Sequence, residues 1–177
     1  MRAERERDYV DYVTGRIPVL RRLAAQLAGD AHRGDDLVQQ TITRLYLHWS
    51  RAVSARNIDA YVHRILIRVF LDERRLSWAR VRLGHSPAEV AEAAEPGPAD
   101  GTAVEDRLVL QAALAKLPPR QRAAVVVRYL ADHSVDEAAE ILRVSPGTIK
   151  SQTSDGLAAL RRLLADRPAD PSLGVKS

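Results

Sequence analysis

Residues 114–152, LAKLPPRQRAAVVVRYLADHSVDEAAEILRVSPGTIKSQ, decide the fold. Leu114 and Leu117 close one helix and Pro118-Pro119 start another, since proline is tolerated in a first helical turn. Residues 121–130 follow, with Ala124, Val125, Val127 and Leu130 apolar. Ser134-Val135-Asp136-Glu137 fits a capping box, in which the serine oxygen accepts from the backbone and the glutamate reaches back. It opens a short helix over 135–142. Arg143-Val144 make a tight connection, and Ser145-Pro146 read as the cap and first residue of a last helix running to about Ala165. Two short helices, a three-residue turn and a longer terminal helix form the helix-turn-helix pattern. On the last helix Ile149, Thr153, Leu157, Leu160 and Leu164 share one face. The opposite face near its start carries Gly147, Thr148, Ser151, Ser154 and Asp155, flanked by Lys150 and Gln152. A helix presented this way can enter a DNA major groove N-terminus first, with small polar side chains reaching base edges and phosphates. A helical hairpin inside any bundle shows the same caps and one apolar face, so the plainer reading fits as well.

Charge divides the rest of the chain. Residues 1–83 hold 16 Arg against 10 Asp and Glu, a balance of +6. Residues 84–106, GHSPAEVAEAAEPGPADGTAVED, hold six acids and no Lys or Arg. Residues 107–177 hold 11 basic and 7 acidic residues, a balance of +4. The middle block has no aromatic side chain and cannot bury enough apolar surface to offset the entropy of ordering it. The expectation is a flexible acidic linker over 84–106 between two basic helical modules, 1–83 and 107–167, with a disordered tail over 168–177.

The first module also reads as helical. Over 8–28, Val10, Val13, Ile17, Leu20, Leu23, Ala24 and Leu27 recur at three- and four-residue spacing. Pro18 is expected to kink this helix or to start its second part. Gly29-Asp30 and Gly34 read as loop punctuation, and 35–50 repeats the amphipathic pattern. Residues 50–57 read as a polar, Arg-bearing loop, after which Asp59 caps a third helix over 60–81. No segment reads as a strand, so the fold class is all-α: two small helical domains and a linker.

Composition excludes several functions. The chain has no cysteine, hence no disulfide, thiolate metal site or cysteine nucleophile. No apolar run approaches the roughly 20 residues that span a bilayer, and MRAERERDYV lacks the apolar core of a signal peptide. A soluble, cytoplasmic chain without membrane insertion is expected. His32, His48, His63, His85 and His133 are far apart in sequence, with no HExxH spacing and no Gly-rich phosphate loop. No enzyme activity, metal or cofactor is expected, and His133 reads as a turn residue.

Together these residues resemble the extracytoplasmic-function (ECF) sigma factors of bacterial RNA polymerase, sigma-E-like and of actinobacterial type. The resemblance covers about residues 8–83 and 107–165. Leu117-Pro118-Pro119-Arg120-Gln121-Arg122 resembles the opening of the family's region four, and Ser145-Pro146-Gly147-Thr148-Ile149-Lys150-Ser151 the start of its recognition helix. Asp36-Leu37-Val38-Gln39-Gln40 resembles the region-two helix that docks on the polymerase. Ala60-Tyr61-Val62-His63-Arg64-Ile65, with Asp72 and Arg74-Arg75, resembles the helix that opens the promoter.

The resemblance implies roles for the matching positions. Asp36, Leu37, Gln39, Gln40 and Arg44 would bind the β′ clamp helices of core RNA polymerase, although Asp35 and Asp36 also simply suit a helix N-terminus. Arg51, Arg56, Asn57, Tyr61, Arg64, Arg68, Arg74 and Arg75 would capture and melt the minus-ten element of promoter DNA, which needs a pocket, a stacking surface and cations tracking the backbone. Trp78 is expected to pack under the third helix rather than to stack on a base. Thr148, Lys150, Ser151, Gln152, Ser154 and Asp155 would read the minus-thirty-five element, and the second module would meet the β flap. A separate anti-sigma protein is a further implied partner. The acidic linker would either thread the polymerase as a nucleic-acid mimic or serve as a solubilising spacer. Gln40, Arg68, Gln152 and Asp155 depart from the residues common in relatives, and Asp155 repels phosphate. The principal rival is a free-standing helix-turn-helix regulator, which leaves the Asp-Leu-Val-Gln helix and the Arg stripe unused. An adaptor whose DNA binding is lost through Asp155 is a third.

Overall fold

The structure is a computed structural model that describes residues 2–84 and 101–166. Every regular element among the described residues is helical. Helix α1 (Arg2–Ala28) runs unbroken through Pro18, so no second helix starts there. It ends at Gly29, whose φ of +90° suits glycine.

Helix α2 spans Ala31–Leu47 and is capped by Asp30, whose carboxylate accepts from the Arg33 N–H at 2.7 Å. The helix therefore begins four residues earlier than 35, and Asp35 and Asp36 are not its cap. Gly34 is buried inside α2 rather than in a loop, because α1 crosses there: a Cβ on Gly34 would lie 2.8 Å from the Ala25 backbone nitrogen. The segment expected as a loop over 50–57 partly folds as α3 (Trp49–Val53).

Helix α4 spans Ile58–Arg82 and is capped by Asn57 through the Ala60 N–H, not by Asp59. Asp59 instead ties α4 to α1, accepting from the Tyr12 hydroxyl at 2.6 Å and from Arg16 at 2.7 Å. Tyr9 donates to the Ile42 carbonyl at 2.8 Å. Edge contacts of Tyr9 with Tyr46 and Trp49 close this end of the module.

Helix α5 (Gly101–Ala115) includes residues 101–106, which were expected to belong to the linker. Its buried Ala113 and Leu114, with Leu110 packed beside them, pin it to the core and carry the helix back past that boundary. Residues 85–100 of the expected linker and the expected tail lie outside the described residues.

The second module follows the sequence closely. Helix α6 (Pro119–Val125) continues into one π-helical turn (Val126–Leu130). Helix α7 (Val135–Leu142) carries the capping box in full: Ser134 N–H donates to the Glu137 carboxylate and Glu137 N–H to the Ser134 hydroxyl. Arg143 turns the chain with a φ of +55°. Ser145 then caps α8 (Pro146–Ala165) through the Thr148 N–H.

The two modules do not stand apart. Helix α5 packs on α1 and α7 on α4, and the buried apolar residues form one continuous cluster running from Leu20, Leu37 and Phe70 to Leu114, Val126 and Ile149. Fully burying each such side chain contributes about 1.5–3 kcal/mol relative to exposure, so a shared core holds the modules far better than a linker alone.

Two glycines of the first module have opposite expected responses to substitution. Gly34→Ala drives a methyl into the α1 backbone and should lower the urea-unfolding free energy by about 2 kcal/mol. Gly15→Ala, at an open helical position with nothing within 4 Å, should raise it by about 0.5–1 kcal/mol.

Candidate polymerase-docking and nucleic-acid faces

The side chain that joins the modules is Arg122 of α6, only 4% exposed. Its guanidinium donates to the carbonyl of Leu27 in the last turn of α1 at 2.6 Å. It also donates to the carbonyls of Ala115 at 2.7 Å and Leu117 at 3.1 Å, where α5 ends. The final carbonyls of a helix have no partner within it and carry its negative dipole end, so a cation suits them. Arg74 of α4 acts alongside, donating to the Ala28 carbonyl at 3.1 Å. Both guanidinium groups lie over the Phe70 ring, at 5.7 Å for Arg74 and 5.6 Å for Arg122. Burial, followed by the charges of Arg74 and Arg33, pulls the Arg122 pKa down to about 10, which leaves it a cation at neutral pH.

Where α4 faces α6 and α7, an open groove of about 1120 Å³ forms. One wall carries Arg51, Tyr61, Arg64, Arg68, Arg74 and Arg75 from the expected minus-ten set, with Arg44 of α2 beside them. The other carries Arg120 and Arg143 among the apolar surfaces of Pro118, Ile141 and Leu142. Asp72 is the acid in its lining, 3.8 Å from Arg44. Such a surface is strongly cationic over an apolar floor, suited to a polyanion with flat or apolar parts.

Within the minus-ten set, Arg51, Arg68 and Arg75 are exposed and Tyr61 and Arg64 are half-buried. Arg56 and Asn57 are exposed but outside the groove lining, and Asn57 is engaged as the α4 cap. Arg74 is committed to the α1 terminus. Trp78 is 65% exposed and lines the groove, contrary to the packing expected for it. It lies near the end of α4, and no described element covers it.

On α2, Asp36, Gln39 and Gln40 are exposed and Arg44 is half-exposed, giving one polar face. Leu37 is fully buried and supports that face from inside, which corrects its expected place among the contacting residues. On α8, Lys150, Ser154 and Asp155 are exposed. Ser151 is exposed with its hydroxyl donating to the Thr148 carbonyl, and Thr148 is half-buried, its hydroxyl 2.9 Å from that of Ser145. Gln152 is half-buried with its carbonyl oxygen enclosed, so it does not project as the sequence suggests.

Sequence reasoning gave Arg120, Arg122 and Arg143 no contact of their own, and it kept apart two histidines that the fold unites. His63 Nδ1 and His133 Nε2 are 2.7 Å apart. For Arg122 a signal existed, a cation leading directly into the apolar run Ala123–Val127. For the histidines none did, since 70 residues separate them.

The profile for Sigma-70 region 2 matches residues 13–80, and that for Sigma-70, region 4 matches residues 107–160. The RNA polymerase sigma-E factor of Streptomyces coelicolor is 34% identical over 166 residues, covering 92% of this chain and 89% of the relative. The chain belongs to the ECF sigma factors. The ECF RNA polymerase sigma factor SigL of Mycobacterium tuberculosis is 32% identical over 149 residues, covering 84% of each chain. The solved sigma factor RpoE of Bartonella quintana, in complex with the anti-sigma factor NepR, superposes with a TM-score of 0.70 at 27% identity, covering 90% of this chain and 99% of that one. This chain is accordingly a sigma factor that directs RNA polymerase to promoters in transcription initiation, and its partners are the polymerase and promoter DNA. A free-standing regulator is disfavoured because the region 2 match accounts for the module that reading leaves unused. No described helix is long and apolar enough to cross a membrane.

Replacing Arg122 by Met keeps a similar stem and leaves three carbonyls without their charged donor. Unfolding free energy in urea should fall by about 2 kcal/mol. Arg122→Lys should not restore it, because a point charge cannot reproduce the planar fork or its stacking on Phe70.

Proposed function

We propose a division of labour in which the α4 groove face handles the minus-ten element, the polar face of α2 docks on core polymerase, and the start of α8 reads the minus-thirty-five element. Arg51, Arg64, Arg68 and Arg75 track the non-template strand while Tyr61, joined by Trp78, offers rings for unstacked bases. Arg56 extends the cationic path, and Asn57 and Arg74 hold the helix that presents it. Asp36, Gln39, Gln40 and Arg44 meet the β′ clamp helices, with Leu37 fixing their platform. Lys150, Ser154 and Asp155 approach the duplex, Thr148, Ser151 and Gln152 shape the helix behind them, and the second module meets the β flap.

What supports this reading best is that the arginines and rings of α4 share one groove instead of being scattered around the helix. No catalytic step is assigned to the chain, since polymerisation belongs to the core enzyme, and its place of action is the cytoplasm. The Bartonella quintana sigma factor is in complex with the anti-sigma factor NepR. By analogy, an anti-sigma protein presenting an acidic amphipathic helix is a partner that the groove's cations and apolar floor would suit.

Run-off transcription from a fragmented genomic template tests the division of labour. Core polymerase with this chain should yield discrete transcripts absent with core alone, and Arg68→Ala should cut open-complex formation about tenfold without changing core binding. Asp155→Arg should strengthen promoter binding and raise the log–log salt slope by about one. Normal opening with Arg68→Ala, or an unchanged salt slope with Asp155→Arg, would remove that face from the DNA contact.

A further inference from the structure

We propose that His63 and His133 form a proton-operated latch between the two modules: the neutral pair holds them closed and acid releases them. His63 sits on α4 of the first module and His133 in the turn before α7 of the second, with ring centres 5.0 Å apart and planes at 80°. Their 2.7 Å approach is a hydrogen bond only while one nitrogen carries a proton and the other offers a lone pair. With both rings protonated, N–H faces N–H in a site where His133 is only 6% exposed, and the contact turns repulsive.

The surroundings favour a neutral His63. From α1, Arg16 and Tyr12 both bond to Asp59 of α4, so Asp59, the carboxylate among the described residues that would favour a proton on His63, is already engaged. From the π-helical turn, the Arg128 guanidinium donates to the His133 carbonyl. From α7, the Glu137 carboxylate lies 3.5 Å from His133 Nδ1, away from His63, and is tied to the Ser134 N–H. A cavity of about 40 Å³ bordered by Tyr12, Arg16, Asp59 and His63 has room for a water molecule beside the His63 ring.

Burial, and next the neighbouring His133, push the His63 pKa down from 6.5 to about 4. The closed state therefore prefers neutral His63. Closure is at full strength above pH 6.5, weakens as pH falls below it, and the loss levels off near pH 4. The gap between 6.5 and about 4 corresponds to about a 300-fold fall in the closed-to-open ratio. Opening separates α4 from α6 and α7 and widens access to the arginine groove. That consequence rests on the minus-ten role proposed above, whereas the latch itself does not.

Because the chain lacks cysteine, a Thr14→Cys, Ala158→Cys pair of exposed positions on α1 and α8 can carry spin labels. Distance distributions between them, measured alongside far-UV circular dichroism, should be narrow and single-peaked at pH 7.5. They should lengthen between pH 6.5 and about 4 while helix content persists. In His63→Gln, His133→Gln, whose amides can bond without titrating, the pH 7.5 distance should persist throughout. If that pair is open at pH 7.5, His63→Gln alone should stay closed over the range. The latch is overturned by a wild-type distance that does not change, by one that lengthens only as helix content is lost, or by glutamine variants that follow the wild-type profile or are all open at pH 7.5. Normal open-complex formation with Arg68→Ala, beside a wild-type distance that lengthens in acid, would count against the minus-ten role and leave the latch standing.

Discussion

Arg122 is the constraint on which the rest of the arrangement depends. A guanidinium at 4% exposure with no carboxylate partner among the described residues is costly to bury. It is tolerated because the ends of two helices, α1 and α5, converge on it and supply three carbonyl acceptors. Those acceptors come from both modules, so the two terminal nitrogens of Arg122 have all their carbonyl partners only when the modules are packed together, while its Nε stays enclosed without one. Phe70 beneath it and Arg74 beside it extend the same contact into α4.

The groove is a consequence of that packing. With α6 anchored on the end of α1, its Pro118-Pro119-Arg120 entry and the Ile141–Arg143 end of α7 are set opposite the arginine face of α4. The chain thus keeps a strongly cationic surface half-enclosed between two walls, which gives regulation a mechanical handle. Anything that parts α4 from α6 and α7 alters access to the residues that a sigma factor of this family would bring to promoter DNA.

What was legible in the sequence was mostly local. The capping box at Ser134 and Glu137, the Ser145-Pro146 start of α8 and the helical spacing of the core leucines depend on residues within a turn or two of one another. The resemblance of the Asp36–Gln40 and Leu117–Arg122 segments to the family identified the function. What escaped depends on long-range contacts. Gly34 looked like a loop breaker because the Ala25 backbone it must clear is on another helix. Asp59 looked like a cap because its partners, Tyr12 and Arg16, are more than 40 residues away. Leu37 and Gln152 took their contact roles from the resemblance and Trp78 was expected to pack, but exposure depends on which neighbours arrive, and that was settled only by the packed structure.

Equilibrium unfolding of the full chain followed by two probes tests the shared core most directly. Both tryptophans, Trp49 and Trp78, lie in the first module, so fluorescence follows that module while far-UV circular dichroism follows all the helices. One core keyed by Arg122 predicts superimposable urea transitions with a single midpoint. Two separated transitions, with much of the helix signal lost before or after the tryptophan signal, would contradict it.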